Sequence, residues 1–474
     1  MKMPKAVKRG ESYRIKIMIA GTTYSATRDT VKECEQWAPE YKTPMIHADE
    51  QYKYAALNWT ETAGLKGATV AWWNIYQDPV LSQLLQQLNA ENLNLKQAEA
   101  RYRQVNALLE QQKASRSASL SLEGAAKRNG AKHTSPNSQF STGVQASWIP
   151  DVWGRVAKAI EGQQANLEAV QADLAAVKLN QQLLATETYW NIRVLDAQLD
   201  VLQQTQKSYL RSVQILKNQY TAGMIARADV IQAETQLKQV QIQQIEMQRE
   251  RNLQENVLAV LQGKSVAQFQ LVKRQQRLSI PTVPAQLPSR LLMQRPDVIR
   301  AERELASTHA QLGLAQTAWL PDISIGFNAS LNSQVLGQLF QAPAYLWSTG
   351  LEAASVIFDG GKRQAEIAQA QASYDEKLAA YKQAVLTGWK EVDDALMQTS
   401  SLKQQQLEQA QLLQLNKENE QVVMRRYNAG LVSYLEVVTA QNLRLQAEQS
   451  TLELQQIQLK NTAQLITAMG GNIS

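Results

Sequence analysis

Cysteine occurs once and histidine three times among 474 residues, so the side chains that usually hold zinc or build a nucleophilic triad are nearly absent. No cofactor or metal site is expected, and no phosphate loop or other convergent constellation points to an enzyme. A single Cys34 cannot form an intrachain disulfide. Charged residues make up only 19%, with Lys+Arg 49 against Asp+Glu 43, and the net charge of +6 is spread along the chain. The short basic runs at 127–132 and 273–277 are not the aromatic-interleaved stripe that nucleic acid requires, so nucleic-acid binding is not expected. No uninterrupted apolar run reaches the length of a membrane-spanning helix. Any membrane insertion must therefore use strands.

Proline is also missing from two long stretches. All 12 prolines lie outside residues 151–280 and 344–474, and proline interrupts helix interiors. Periodicity supports helices there. Tyr374, Leu378, Tyr381, Val385, Trp389, Val392 and Leu396 follow the spacing of one helical stripe. Val438, Leu445, Leu452, Leu459 and Ile466 recur every seventh residue, a coiled-coil seam; Leu167, Val170, Leu174, Val177 and Leu184 do the same in the first stretch, whose later 236–244 region has a weaker, more polar seam. A helix from about 155 to 219 would be roughly 100 Å long.

The two stretches repeat each other. Ser141-Thr142-Gly143-Val144-Gln145-Ala146 returns as Ser348-Thr349-Gly350-Leu351-Glu352-Ala353, 207 residues on. At the same offset Tyr220-Thr221-Ala222-Gly223 matches Tyr427-Asn428-Ala429-Gly430, and Asp229-Val230 matches Glu436-Val437. Asp151 with Gly154-Arg155 echoes Asp359 with Gly361-Lys362. The chain is an internal tandem duplication, with its first repeat placed at 71–280 and its second at 281–474. Ahead of each helical stretch lie two alternating segments: 117–124 and 139–148, then 322–331 and 346–358. In Ile323, Ile325, Phe327 and Ala329 the apolar residues take every second position, which puts them on one face of a strand. Segments of about ten residues suit a tilted membrane-spanning strand. Four strands cannot close a membrane barrel, but three chains supply twelve.

These residues resemble the TolC-type outer-membrane efflux proteins, in the NodT-like lipoprotein branch that serves tripartite pumps of the RND class. The resemblance rests on Trp72-Trp73 with Asp78-Pro79 and Leu84-Leu85, Arg295-Pro296-Asp297-Val298 with Ala301-Glu302, and Ala318-Trp319-Leu320-Pro321. Phe358-Asp359-Gly360-Gly361 and Arg426-Tyr427-Asn428-Ala429-Gly430 complete it, and together the motifs span about 39–469. It implies a mainly α fold with β: a homotrimer whose four strands per chain build one 12-stranded barrel in outer-membrane lipid, continued into the periplasm by a helical coiled-coil tunnel. Such proteins are passive exit ducts for drugs and other small toxic solutes, fed by a periplasmic adaptor and an inner-membrane RND transporter.

Tyr220, Gly223 and Gly430 then mark helix-tip turns where the adaptor docks, glycine being the residue of left-handed helix caps. Asp229, Tyr427 and Glu436 fall on positions of the periplasmic gate. Val432 stands where the best-known member has a gate arginine and Thr439 where it has a second aspartate, with Arg227 a candidate for the missing charge. Without the resemblance, Asp229 and Glu436 are simply carboxylates favoured by a helix N-terminus.

Cys34, followed by Pro39, Tyr41 and Pro44, resembles the family's lipidated mature start and is the candidate for palmitate. Residues 1–33 lack the processing pattern of an export signal, so the exported protein is expected to begin at or near Cys34, with 34–70 an extended arm. The rival reading is a soluble coiled-coil scaffold binding partner helices through its leucine seams.

Overall fold

The computed structural model describes residues 7–9, 12–19, 22–28, 41, 43–44, 71–130, 136–274, 278–281, 294–341 and 344–471, and Cys34 lies outside them. Three short strands come first, β1 (Val7–Arg9), β2 (Ser12–Ile19) and β3 (Thr22–Arg28), paired antiparallel in that order. Then follow α1 (Pro79–Glu91), α2 (Leu93–Ala114), β4 (Ser119–Asn129), β5 (Asn137–Trp148), α3 (Arg155–Thr221) and α4 (Arg227–Leu261). The second series is α5 (Pro296–Gln316), β6 (Asp322–Ser333), β7 (Tyr345–Ala354), α6 (Lys362–Asn428) and α7 (Tyr434–Ala468). No described helix is long and apolar enough to cross a membrane.

The duplication is written in the element lengths. Helices α3 and α6 are both 67 residues and α4 and α7 both 35, and each pair starts 207 residues apart. Their stops are built the same way. Gly263 (φ 65°) and Gly470 (φ 83°) are left-handed, and the next residue's amide returns to Ala259 or Ile466.

The chain divides into two compact units. The first takes the described residues of 1–46, 101–172 and 300–383. Its four-stranded antiparallel sheet runs in the order β4-β5-β6-β7, so the two hairpins join at β5 and β6, with Trp148 opposite Ile325 and Phe140 opposite Ser333. Strand corners are pinned by charge. The Asp151 carboxylate accepts from the amides of Val156 and Ala157 at 2.9 and 2.8 Å and so caps α3. Arg155 donates to the carbonyls of Thr317 (2.6 Å) and Leu320 (2.7 Å) and pairs with Asp322, fixing the start of β6. In the second repeat Asp359 accepts from the amide and the guanidinium of Arg363, whose charge lies 4.3 Å from the Trp319 ring centre. His309 sits between the rings of Tyr41 and Tyr374, and burial lowers its basicity, so it is neutral near pH 7.

The second unit takes the described residues of 47–100, 173–299 and 384–474 and holds the larger core. Trp72, Trp73 and Tyr76 are buried there with Leu81, Leu85 and Leu88 of α1. Of the expected seam residues, Val438, Leu445, Leu459 and Ile466 are buried and Leu452 is half-buried; in the first repeat Leu167 and Val170 are buried, Leu174 and Val177 half-buried and Leu184 exposed. Asp78 caps α1 through the amides of Val80 and Leu81 and accepts the Tyr189 hydroxyl at 2.6 Å. Nearby a buried ionic cluster ties α3 to α4: Asp196 accepts from Arg251 at 2.7 Å and pairs with Arg193 at 3.3 Å. The two arginines also hold the carbonyls of Leu271 (2.7 Å) and Val272 (2.9 Å), fastening the segment after α4. Removing the carboxylate would leave buried Arg193 without its anion and Arg251 with Glu255 alone. Asp196→Ala is expected to lower stability by about 3–5 kcal/mol, measured by denaturant unfolding; a variant as stable as the parent would contradict this role for the cluster.

Candidate functional site

Two regions carry chemistry suited to a conduit: the paired helix turns in the second unit and the sheet in the first. Each turn closes its helix in the same way. The amide of Gly223 (φ 74°) returns to the Tyr220 carbonyl at 2.9 Å and that of Met224 to Gln219 at 2.9 Å. The amide of Gly430 (φ 70°) returns to Tyr427 at 2.9 Å and that of Leu431 to Arg426 at 2.9 Å. This double bond pattern with a left-handed residue is the Schellman stop, and only glycine adopts it without a steric cost. Tyr220 is exposed beside its turn, as are Met224 and Leu431, so both turns present an apolar tip.

Beneath the turns one apolar cluster joins the two hairpins, with Leu216, Val230 and Leu237 from the first and Val423, Tyr434, Val437 and Val438 from the second. Tyr427 packs edge-on to Tyr434, ring centres 5.7 Å apart. Burial first, and then the charge of Asp229, push the Tyr427 hydroxyl above the ordinary tyrosine range; burial raises Tyr434 as well, with Tyr427 and Asp229 adding to it. The structure therefore brings Asp229 and Tyr427 together, around a third residue that sequence reasoning missed. Tyr434 was findable: it lies seven residues beyond Tyr427, at the repeat position of Arg227. Glu436 is exposed in the first turn of α7. Arg227 acts on Glu234, a carboxylate that Lys217 first of all holds below its usual range through a 2.7 Å pair. A little deeper, Arg444 joins Glu420 (2.6 Å) and Glu448 (2.8 Å), and burial pushes Tyr209 up to about 12.

The sheet has two chemically distinct faces. Across the register, Leu122 stands beside Val144, Val144 beside Ala329 and Ala329 beside Trp347. Cross-strand neighbours share a face, so the apolar set continues through Leu120, Trp148, Ile325, Phe327 and Leu351. On the opposite face Ser121, Gln145, Asn328 and Ser348 form the matching polar row. The apolar side chains are not covered by the chain itself: Leu122 is 79% exposed and Leu351 71%. Such a sheet suits a wall with hydrocarbon on one side and water on the other.

The Arg295-Pro296-Asp297 motif is a structural clamp. Arg295 donates to the last carbonyl of α7, Ala468, at 2.8 Å and to Glu391 at 2.6 Å. Burial alone would raise Asp297, but its bonds to Arg295 outweigh that and hold it low. A cavity of about 450 Å³ lies beside the clamp, lined by Asn180, Asp394, Gln398 and Gln464 among others. No His, Cys, Asp and Glu group suited to a metal occurs among the described residues. Gly430→Ala is expected to cost its turn about 1 kcal/mol, read as roughly fivefold faster amide hydrogen exchange at residues 429–431. Exchange unchanged from the parent would contradict the left-handed stop.

Comparison with known proteins agrees with this geometry. Residues 84–264 and 287–471 match the family described as outer membrane efflux protein, one stretch in each repeat. The chain is 28% identical over 438 residues to the cation efflux system protein CusC of Escherichia coli strain K12, covering 92% of this chain and 95% of that protein. It is 29% identical over 411 residues to the solvent efflux pump outer membrane protein SrpC of Pseudomonas putida, covering 84% and 87%. A crystal structure of CusC, described in terms of folding and transmembrane channel formation, superposes with a TM-score of 0.83 at 27% identity over 92% of this chain and 99% of that one. With both repeats matched along most of their length, the chain belongs to the outer membrane efflux protein family.

Proposed function

We propose that three copies of this chain close one 12-stranded barrel in the outer membrane, and that the assembly is the passive exit duct of a tripartite pump. The observation that carries the reading is the two-faced sheet with β4 and β7 at its open edges. Unpaired edge amides and carbonyls are costly in hydrocarbon, and a ring of three sheets leaves none. The polar face, rich in Ser, Asn and Gln and carrying Glu123, Lys127 and Glu352, then lines the lumen and holds water. Drugs and other small toxic solutes are the proposed cargo, delivered by a periplasmic adaptor and an inner-membrane RND transporter. The family assignment supports the duct over a soluble coiled-coil scaffold.

In this reading the tips around Tyr220, Gly223 and Gly430 are where the adaptor docks, and the Asp229, Tyr427 and Glu436 region is the gate. A threefold axis would make each carboxylate one of three, so like charges crowd at the constriction and the tyrosine packing must hold the tips together against them. Cys34 is the proposed lipid anchor. Docking separates the tips, and solute then diffuses outward with no energy input from the duct itself.

Tyr427→Ala, which removes the ring packed on Tyr434, is expected to favour the open state in planar bilayers, and Glu436→Ala, which relieves the crowding of like charges, the closed state. Loss of an aromatic pair worth about 1 kcal/mol shifts an open-to-closed ratio about fivefold. Single-channel recording that shows parental conductance and open time in both variants would contradict this gate.

A further inference from the structure

We infer the register in which β7 of one copy pairs with β4 of the next, using the junction inside the chain as its own template. The inference rests on the three-copy reading above and makes it more specific. The β5–β6 junction joins the end of the first hairpin to the start of the second. The seam between copies joins the end of the second hairpin to the start of another first hairpin, so the duplication makes the two junctions equivalent.

The repeat places Ser147 of β5 on Ala354 of β7, 207 residues later. Ser147 pairs with Ser119 in its hairpin and Ala354 with Asp322 in the other, so Asp322 of β6 corresponds to Ser119 of β4. Gly326 of β6 then corresponds to Glu123. The template pair Ser147 opposite Gly326 becomes Ala354 opposite Glu123 of the second copy, which sets Leu351 opposite Ala126 and Gly350 opposite Lys127.

Three features agree with that alignment. Leu351 and Ala126 both belong to the apolar face, so the seam continues both faces of the sheet; a slip of one residue would turn hydrocarbon-facing side chains into the lumen. A slip of two residues in one direction sets Glu352 opposite Glu123, and in the other it shortens the ladder by two pairs. Gly350 supplies the third. Its repeat equivalent Gly143 lies against Ser330 of β6, where an added Cβ would come within 2.7 Å of the serine Cβ. Gly350 meets nothing within 4 Å in its own chain. At the seam it faces Lys127, in the position that crowds Gly143.

The test is a full-length Leu351→Cys/Ala126→Cys variant, purified in detergent, with its mass measured by light scattering and then oxidised and run on a non-reducing gel. Within one chain these residues lie on opposite edges of the sheet, three strand spacings across and about eight residues along it, roughly 30 Å apart, so a disulfide between them reports two copies. Efficient cross-linking is expected, progressing to a covalent trimer and absent from either single-cysteine variant, which also controls for Cys34. Pairing Leu351→Cys with Gly124→Cys or Arg128→Cys places the partner on a diagonal, and less than about a tenth of the yield is expected. A shifted pair that cross-links best, or no cross-linking in particles of trimer mass, overturns the register and leaves the three-copy reading standing. Particles of single-chain mass with no cross-linking overturn that reading, and the register with it.

Discussion

Backbone amides and carbonyls that meet hydrocarbon must find partners, and this requirement governs the rest of the protein. A four-stranded sheet with Leu122, Val144, Phe327 and Leu351 on one face is suited to lipid everywhere except along β4 and β7. Its polar opposite face makes a buried sandwich core equally unsuitable. Only closure with other sheets satisfies the edges, face parity and wet interior together.

The tandem repeat meets that requirement with one design used twice. Each half makes a hairpin of strands, a 67-residue helix, a glycine-stopped turn and a 35-residue return helix. The halves diverge where their surroundings differ. Position 227 is an arginine acting on Glu234, whereas its repeat equivalent Tyr434 is buried against Tyr427. Sequence divergence between otherwise matched turns thus gives one of them a packed aromatic pair and the other a charged surface. The family relatives, a cation efflux protein and a solvent pump component, share the architecture while differing in what their names say they move.

Much of this was legible in the sequence because the signals were periodic. Alternation at Ile323, Ile325 and Phe327 marked β6, and the missing prolines with the seven-residue seam marked α7. Boundaries were less legible. The strand expected at 117–124 extends to Asn129, because Lys127 lies on the polar face and a water-facing wall strand tolerates charge. The segment expected at 346–358 pairs only from Tyr345 to Ala354, since Val356, Ile357 and Phe358 are apolar but lie beyond the ladder. The buried Arg193, Asp196 and Arg251 cluster was illegible. Arg193 and Asp196 are one helical turn apart and read as a solvated pair, while their partner lies 55 residues away on another helix. The candidate gate residues Asp229 and Tyr427 came from the resemblance to the family rather than from periodicity, and the packing of Tyr434 on Tyr427 depends on how the two hairpins meet.

The most direct examination is electron cryomicroscopy of the detergent-purified, full-length protein. The account requires one continuous ring of twelve strands, four from each of three chains, with the apolar rows turned outward to the detergent belt. A sheet left open at β4 or β7, or closed within a single chain, would contradict it.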